Sequence, residues 1–200
     1  MALREANREF YGRIVEQMQI LIADGRVPVS AAELMQIRLD GYYMEDYYVT
    51  GDAVVYYRSM VKIVLDSQTL REITPESELI NGALVLTEED YNALQGEEFK
   101  RRELGRLNCG LSLDEVIANP VWNALARGDR GLVRDYAGSI FSERQRLGYD
   151  GGAMGVYLDS AGDKVKLRAW GISDLRDGSF ALGRRGLDFI SGRLLGIYKI

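Results

Sequence analysis

The chain has 200 residues, 30 acidic and 25 basic side chains, and a formal net charge of −5. Its 46% hydrophobic and 28% charged residues match folded globular proteins, and no segment is biased enough to read as disordered. Having no histidine, it lacks the usual general base near neutral pH, the commonest transition-metal ligand and any Ser-His-Asp or Cys-His arrangement, while a lone cysteine, Cys109, excludes an internal disulfide and a thiolate cluster.

Chemistry, if present, must rest on carboxylates, Tyr, Lys, Arg or a hard oxygen-bound cation. No window approaches the roughly 20 apolar residues of a membrane span, and the charged start Met1–Phe10 is unlike a signal peptide, so a cytoplasmic protein without a membrane partner is expected. Charge is uneven: residues 1–39 carry five acids and five bases, residues 40–100 thirteen and four, and residues 101–200 twelve and sixteen. An acidic middle and a basic C-terminal half would face each other or meet different partners. One domain with two lobes is expected, with a soft boundary near residues 105–111, where Gly105, Asn108 and Gly110 interrupt the pattern.

Along the chain, Leu3, Ala6, Phe10, Ile14, Met18 and Leu21 recur at helical spacing and predict a helix over 3–24, stopped by Gly25. Ser30 and Glu33 form a capping box that starts a second helix over 31–39, with Leu34, Ile37 and Met35 or Arg38 directed toward the first. Residues 53–57 and 61–65 read as a hairpin; the first strand is apolar on both faces and therefore lies inside a sheet. Thr74-Pro75 marks a turn, and Asn81-Gly82 a tight reversal before Ala83–Leu86. Helix starts follow at Thr87, Ser112, Asn119-Pro120 and Asp129, the last opening a helix to about Leu147. The final fifty residues read as antiparallel sheet: strands over 154–158 and 164–170 joined by the reversal Asp159–Asp163, a Gly- and Arg-containing connection over 180–191, and a closing strand over 194–200. The class is α+β, with N-terminal helices, a hairpin-based antiparallel sheet, a central helical group and C-terminal antiparallel strands.

Three groups of residues are candidate sites. Residues 42–57 hold half of the twelve tyrosines; Tyr56 and Tyr57 fall on the central strand as packing residues, leaving Tyr42, Tyr43, Tyr47 and Tyr48 as a platform that can stack on a flat ligand. Glu45 and Asp46 within it would repel a nucleic-acid phosphate. Strand alternation places Lys164, Lys166, Arg168 and Trp170 on one face, a combination used by single-stranded nucleic-acid binders, which Arg184, Arg185 and Arg193 would extend. The loop acids Asp159, Asp163, Asp174, Asp177 and Asp188 are candidates for a hard cation or an acid–base pair, although their spacing matches no calcium loop. Gly183-Arg-Arg-Gly186 is too short to specify a phosphate site.

The leading functional expectation is a non-enzymatic binding or protein-interaction module, self-associating or bound to another protein or a small molecule, with no cofactor. The alternatives are a carboxylate- or hard-metal-dependent enzyme with its site in the C-terminal loops, and a single-stranded nucleic-acid binder, which the net acidity disfavours.

Overall fold

The structure, a computed structural model, describes residues 7–42, 46–149, 152–160, 162–174 and 178–198. The order is β1 (Arg8–Tyr11), α1 (Ile14–Ala23), β2 (Val27–Pro28), α2 (Ala31–Leu39), β3 (Tyr48–Tyr57), β4 (Met60–Val64), α3 (Gln68–Arg71), β5 (Leu79–Ile80), β6 (Ala83–Leu86), α4 (Glu88–Ala93) and β7 (Glu97–Lys100). A 3-10 turn (Arg101–Leu104) leads to β8 (Gly110–Leu111), α5 (Leu113–Ala118), α6 (Pro120–Leu125), α7 (Arg130–Arg146), β9 (Met154–Tyr157), β10 (Val165–Ile172), β11 (Ser179–Leu182) and β12 (Arg193–Ile197). The class is α+β, as the sequence implies.

Local signals fix the helix starts. Ser30, Thr87 and Ser112 each make both bonds of a capping box, with Glu33, Asp90 and Glu115. Asn119 caps α6 ahead of Pro120, and Asp129 caps α7. These bonds satisfy amide groups that the first helical turn leaves without partners.

Helices cover the sheet on both faces. On β3, Val54 and Tyr56 point into a core shared with α2, α5, α6 and α7, whereas Ala53, Val55 and Tyr57 point into one shared with α1, α3 and α4. All ten β3 residues are buried, as expected of a strand apolar on both sides. β10 runs antiparallel to β3 and alternates the same way: Val165, Leu167 and Ala169 join the second core, Trp170 and Ile172 the first. The first and last strands meet: β1 pairs antiparallel with β12, which also runs beside β3.

Four expectations need correction. Residues 8–11 are strand: the predicted helix begins only at Ile14, because Gly12, at φ +137, turns the chain and lets residues 8–11 pair with β12. α2 packs on α7, on the opposite side of the sheet from α1, so its apolar side does not face the first helix. β9 and β10 form no hairpin. One edge of β10 is taken by β3 and the other by β6 and β11, so β9 pairs with β8 and, in parallel, with β11. That parallel strand, β11, takes up the first residues of the predicted connection 180–191.

Candidate functional site

The tyrosine stretch and the loop after β11 meet. Tyr47 precedes β3, and its ring lies against Gly171 of β10, where a Cβ would come within 2.2 Å of the phenol oxygen. The residue is half-buried, and its buried hydroxyl has no hydrogen-bond partner among the described residues. Burial pushes that phenol's pKa up, opposed by the nearby Arg185 charge. The Arg185 guanidinium sits 5.4 Å from the Tyr47 ring centre and 5.1 Å from that of Phe189. Arg184, next in the chain, lies 4.8 Å over Tyr157, whose ring packs edge-on against Phe180 at 5.1 Å. Arg184, Arg185, Phe189 and Ile190 are exposed, Ile190 to 77%. Among the described residues no carboxylate pairs with Arg184 or Arg185. The result is a ledge of stacked arginines and rings, cationic and apolar together.

Buried groups brace the ledge from behind. Arg168 is 4% exposed and donates from Nε to the Asp159 carboxylate at 3.0 Å, from Nη1 to the Arg185 carbonyl at 3.1 Å and from Nη2 to the Asn81 carbonyl at 2.7 Å. Tyr56 donates its hydroxyl to the Gly183 carbonyl at 2.8 Å and accepts from the Asp159 amide at 3.4 Å. Leu187 donates its amide to Gly82 at 2.7 Å, tying the loop to the Asn81-Gly82 turn. The loop's backbone is thus fixed while its arginine side chains are presented to solvent.

A second network anchors the residues on either side of Tyr47. Arg38, 1% exposed, donates from Nη1 to the Tyr136 hydroxyl and the Ser173 carbonyl, both at 2.9 Å, and from Nη2 to the Asp46 carbonyl at 2.6 Å. The Asp46 carboxylate pairs with Arg193, whose guanidinium lies 4.9 Å over the exposed ring of Tyr11. Tyr48 is wholly buried and donates to Glu9; burial first, and then that bond, push its pKa up.

The predicted site residues therefore separate. Tyr47, Arg184 and Arg185 come together on the ledge. Tyr42 is half-buried after the end of α2, and Tyr43 lies outside the described residues. Tyr48 is a core residue with a tethered hydroxyl. Lys164, just before β10, is exposed and Lys166 half-buried, but Trp170 is buried in the core shared with α2 and α5–α7, and Arg168 is buried beneath the loop after β11 and the Asn81-Gly82 turn. The basic face expected to be solvated is thus a packed one, and Arg168 acts on the site by holding its loop. Among the acids, Asp159 is engaged by Arg168, Asp163 and Asp188 are exposed, Asp174 is half-buried, and Asp177 lies outside the described residues. No group of three Asp, Glu or Cys able to hold a metal ion occurs among the described residues.

Sequence reasoning passed over Phe189 and Tyr157, and gave Arg38 no part in a site. Phe189-Ile190, between Gly186 and Gly192, was a readable signal, being bulky apolar residues inside a turn-rich segment. The sequence offers Arg38 only as an alternative to Met35 on the inward side of α2; its bonds to Tyr136, Ser173 and Asp46 were not legible, since an arginine on a helix is ordinarily solvated.

No helix among the described residues is long and apolar enough to cross a membrane. No protein-family model matches the chain, and no curated protein is significantly similar to it. A solved structure does match, a chain from work on the accommodation of massive sequence variation in Nanoarchaeota by the C-type lectin fold. The two share 14% sequence identity at a TM-score of 0.71, over 96% of this chain and 97% of that one. At that identity the likeness establishes the fold alone: this chain is built on the C-type lectin fold.

Proposed function

We propose that this protein is a non-enzymatic binding module that recognises a protein partner through the arginine–aromatic ledge of Tyr47, Tyr157, Arg184, Arg185 and Phe189. The observation that carries the reading is Arg185 set between the rings of Tyr47 and Phe189 in a loop whose backbone is clamped from behind. Arginine and large aromatic groups dominate binding energy at protein interfaces, and stacking holds the guanidinium in place before contact, so less side-chain entropy is lost on binding. The C-type lectin fold supports the reading, as do loops carried on a rigid sheet. A fitting partner offers carboxylates to Arg184 and Arg185 beside an apolar patch for Phe189 and Ile190. With a net charge of −5, a second copy of the chain is one such partner.

Selection of a displayed peptide library on the protein tests this directly. Enriched sequences are expected to be acidic and aromatic or aliphatic, and the paired change Arg185→Ala with Phe189→Ala should weaken them by at least about 2 kcal/mol without changing the fold. Binders that tolerate both changes would place recognition elsewhere.

A further inference from the structure

A second recognition feature lies at the turn between β3 and β4. The Arg101 amide donates to the Ser59 carbonyl at 2.9 Å, holding residues 100–102 against that turn. A hollow of about 600 Å³ opens there, lined among the described residues by Ser59, Lys100, Arg101 and Arg102. Lys100 and Arg102 are exposed, and among the described residues neither has a carboxylate partner within ion-pair distance. Arg101 is half-buried and donates Nη1 to the Asp159 carbonyl at 2.6 Å, which fixes the guanidinium at the wall. Two carboxylates lie close by. That of Asp159 is turned to Arg168 at 2.9 Å, and that of Glu103 accepts the Lys100 amide at 2.8 Å. Arg58, on the same turn, has Glu88 at 3.7 Å. Three cations thus line the hollow, while the two nearby carboxylates, of Asp159 and Glu103, each already accept from a donor, within a chain that is acidic overall.

We propose that this hollow binds a small multiply charged anion of the phosphate-ester class. Guanidinium groups pair bidentately with tetrahedral oxyanions, the ammonium adds a point charge, and the Ser59 hydroxyl supplies a further donor. Its size suits a small molecule. A long polyanion is disfavoured, because the chain carries a net charge of −5 and Glu88, beside Arg58 on the same turn, would repel further phosphates. The site is separate from the ledge and does not depend on the function proposed for it.

Titration calorimetry with inorganic pyrophosphate at low salt is the test. The intact protein is expected to bind it saturably at one site, and Lys100→Gln combined with Arg102→Gln should weaken binding at least tenfold. Both side chains are exposed, so the melting temperature without pyrophosphate should not move. Arg102→Gln alone should fall between the two. The pair Arg130→Gln and Arg134→Gln, an equal change of charge on the exposed side of α7, should leave the affinity within twofold. No saturable binding to the intact protein, or equal weakening by the α7 pair, would overturn the proposal. So would a single-stranded oligonucleotide that binds more tightly than pyrophosphate and loses the same tenfold in the Lys100 and Arg102 variant.

Discussion

Arg168 shows how a single buried charge organises a surface. Its guanidinium spans Asp159, the Arg185 carbonyl and the Asn81 carbonyl, three segments far apart in the chain. Arg168→Met fills the volume but leaves the Asp159 carboxylate and two carbonyls without their donor, so a loss of about 3 kcal/mol in unfolding free energy is expected by denaturant titration. Ligand binding at the ledge should weaken too, because the loop backbone loses its clamp; a variant as stable as the parent would mean that water replaces the guanidinium freely. Asp52 is the other residue whose burial has a measurable result. It is fully buried and accepts from the Ala31 amide at 2.7 Å and the Asp66 amide at 2.9 Å, joining the start of α2 to the segment after β4. Burial nevertheless pushes its carboxyl from 3.8 up to about 6, against those two donors. A raised folded-state value favours the protonated form, so the stability from this group is complete below about pH 4 and is lost as pH rises through 6. The advantage of the parent over Asp52→Asn should therefore shrink between pH 4 and 7, by on the order of 2 kcal/mol. An advantage that grows with pH would show that the two amide donors outweigh burial.

Close backbone approach decides what β10 can present. Its pairing with β3 shifts between Ala169 and Gly171, and Tyr47 fills the space that a side chain at 171 would occupy. Gly171→Ala is expected to displace the Tyr47 ring from under Arg185 and to cost about 1–3 kcal/mol through overpacking. A Tyr47 ring signal that changes with a weaker ledge, while Trp170 fluorescence stays as in the parent, would confirm a local effect. At Gly82 a substitution meets two obstacles: φ is +73, and a Cβ would approach Gly186 Cα to 2.6 Å, so the Asn81-Gly82 turn both reverses the chain and seats the ledge loop. The turn was legible in the sequence as a hairpin signal; its second role was not, because nothing in a dipeptide records what packs on it.

At the scale of the whole molecule, a sheet covered on both sides leaves loops and strand ends to carry the proposed recognition. Exposed apolar side chains occur beside the ledge, with Phe189 at 39% and Ile190 at 77%, and on the β1 side, with Tyr11 at 54%. Self-association is proposed through this surface. Light scattering at tens of micromolar should then give a mass above that of the 22.5 kDa monomer, falling toward it in Ile190→Asp. A strictly monomeric profile would remove self-association and leave recognition of another protein standing.

The sequence by itself determined the elements whose cause is local: five helix starts, each written in a cap and the residues just after it, and β3 as a strand buried on both faces. It named Tyr47, Arg184 and Arg185, but in separate groups. Tertiary structure decided that residues 8–11 leave the helical pattern to pair with β12, that β9 pairs with β11 instead of β10, and that Arg168 lies inside with its charge answered by Asp159. The physical reason is the same throughout. Caps and alternation act over a few residues, whereas strand partners, burial and the meeting of Tyr47 with Arg185 depend on which segments the folded sheet brings side by side.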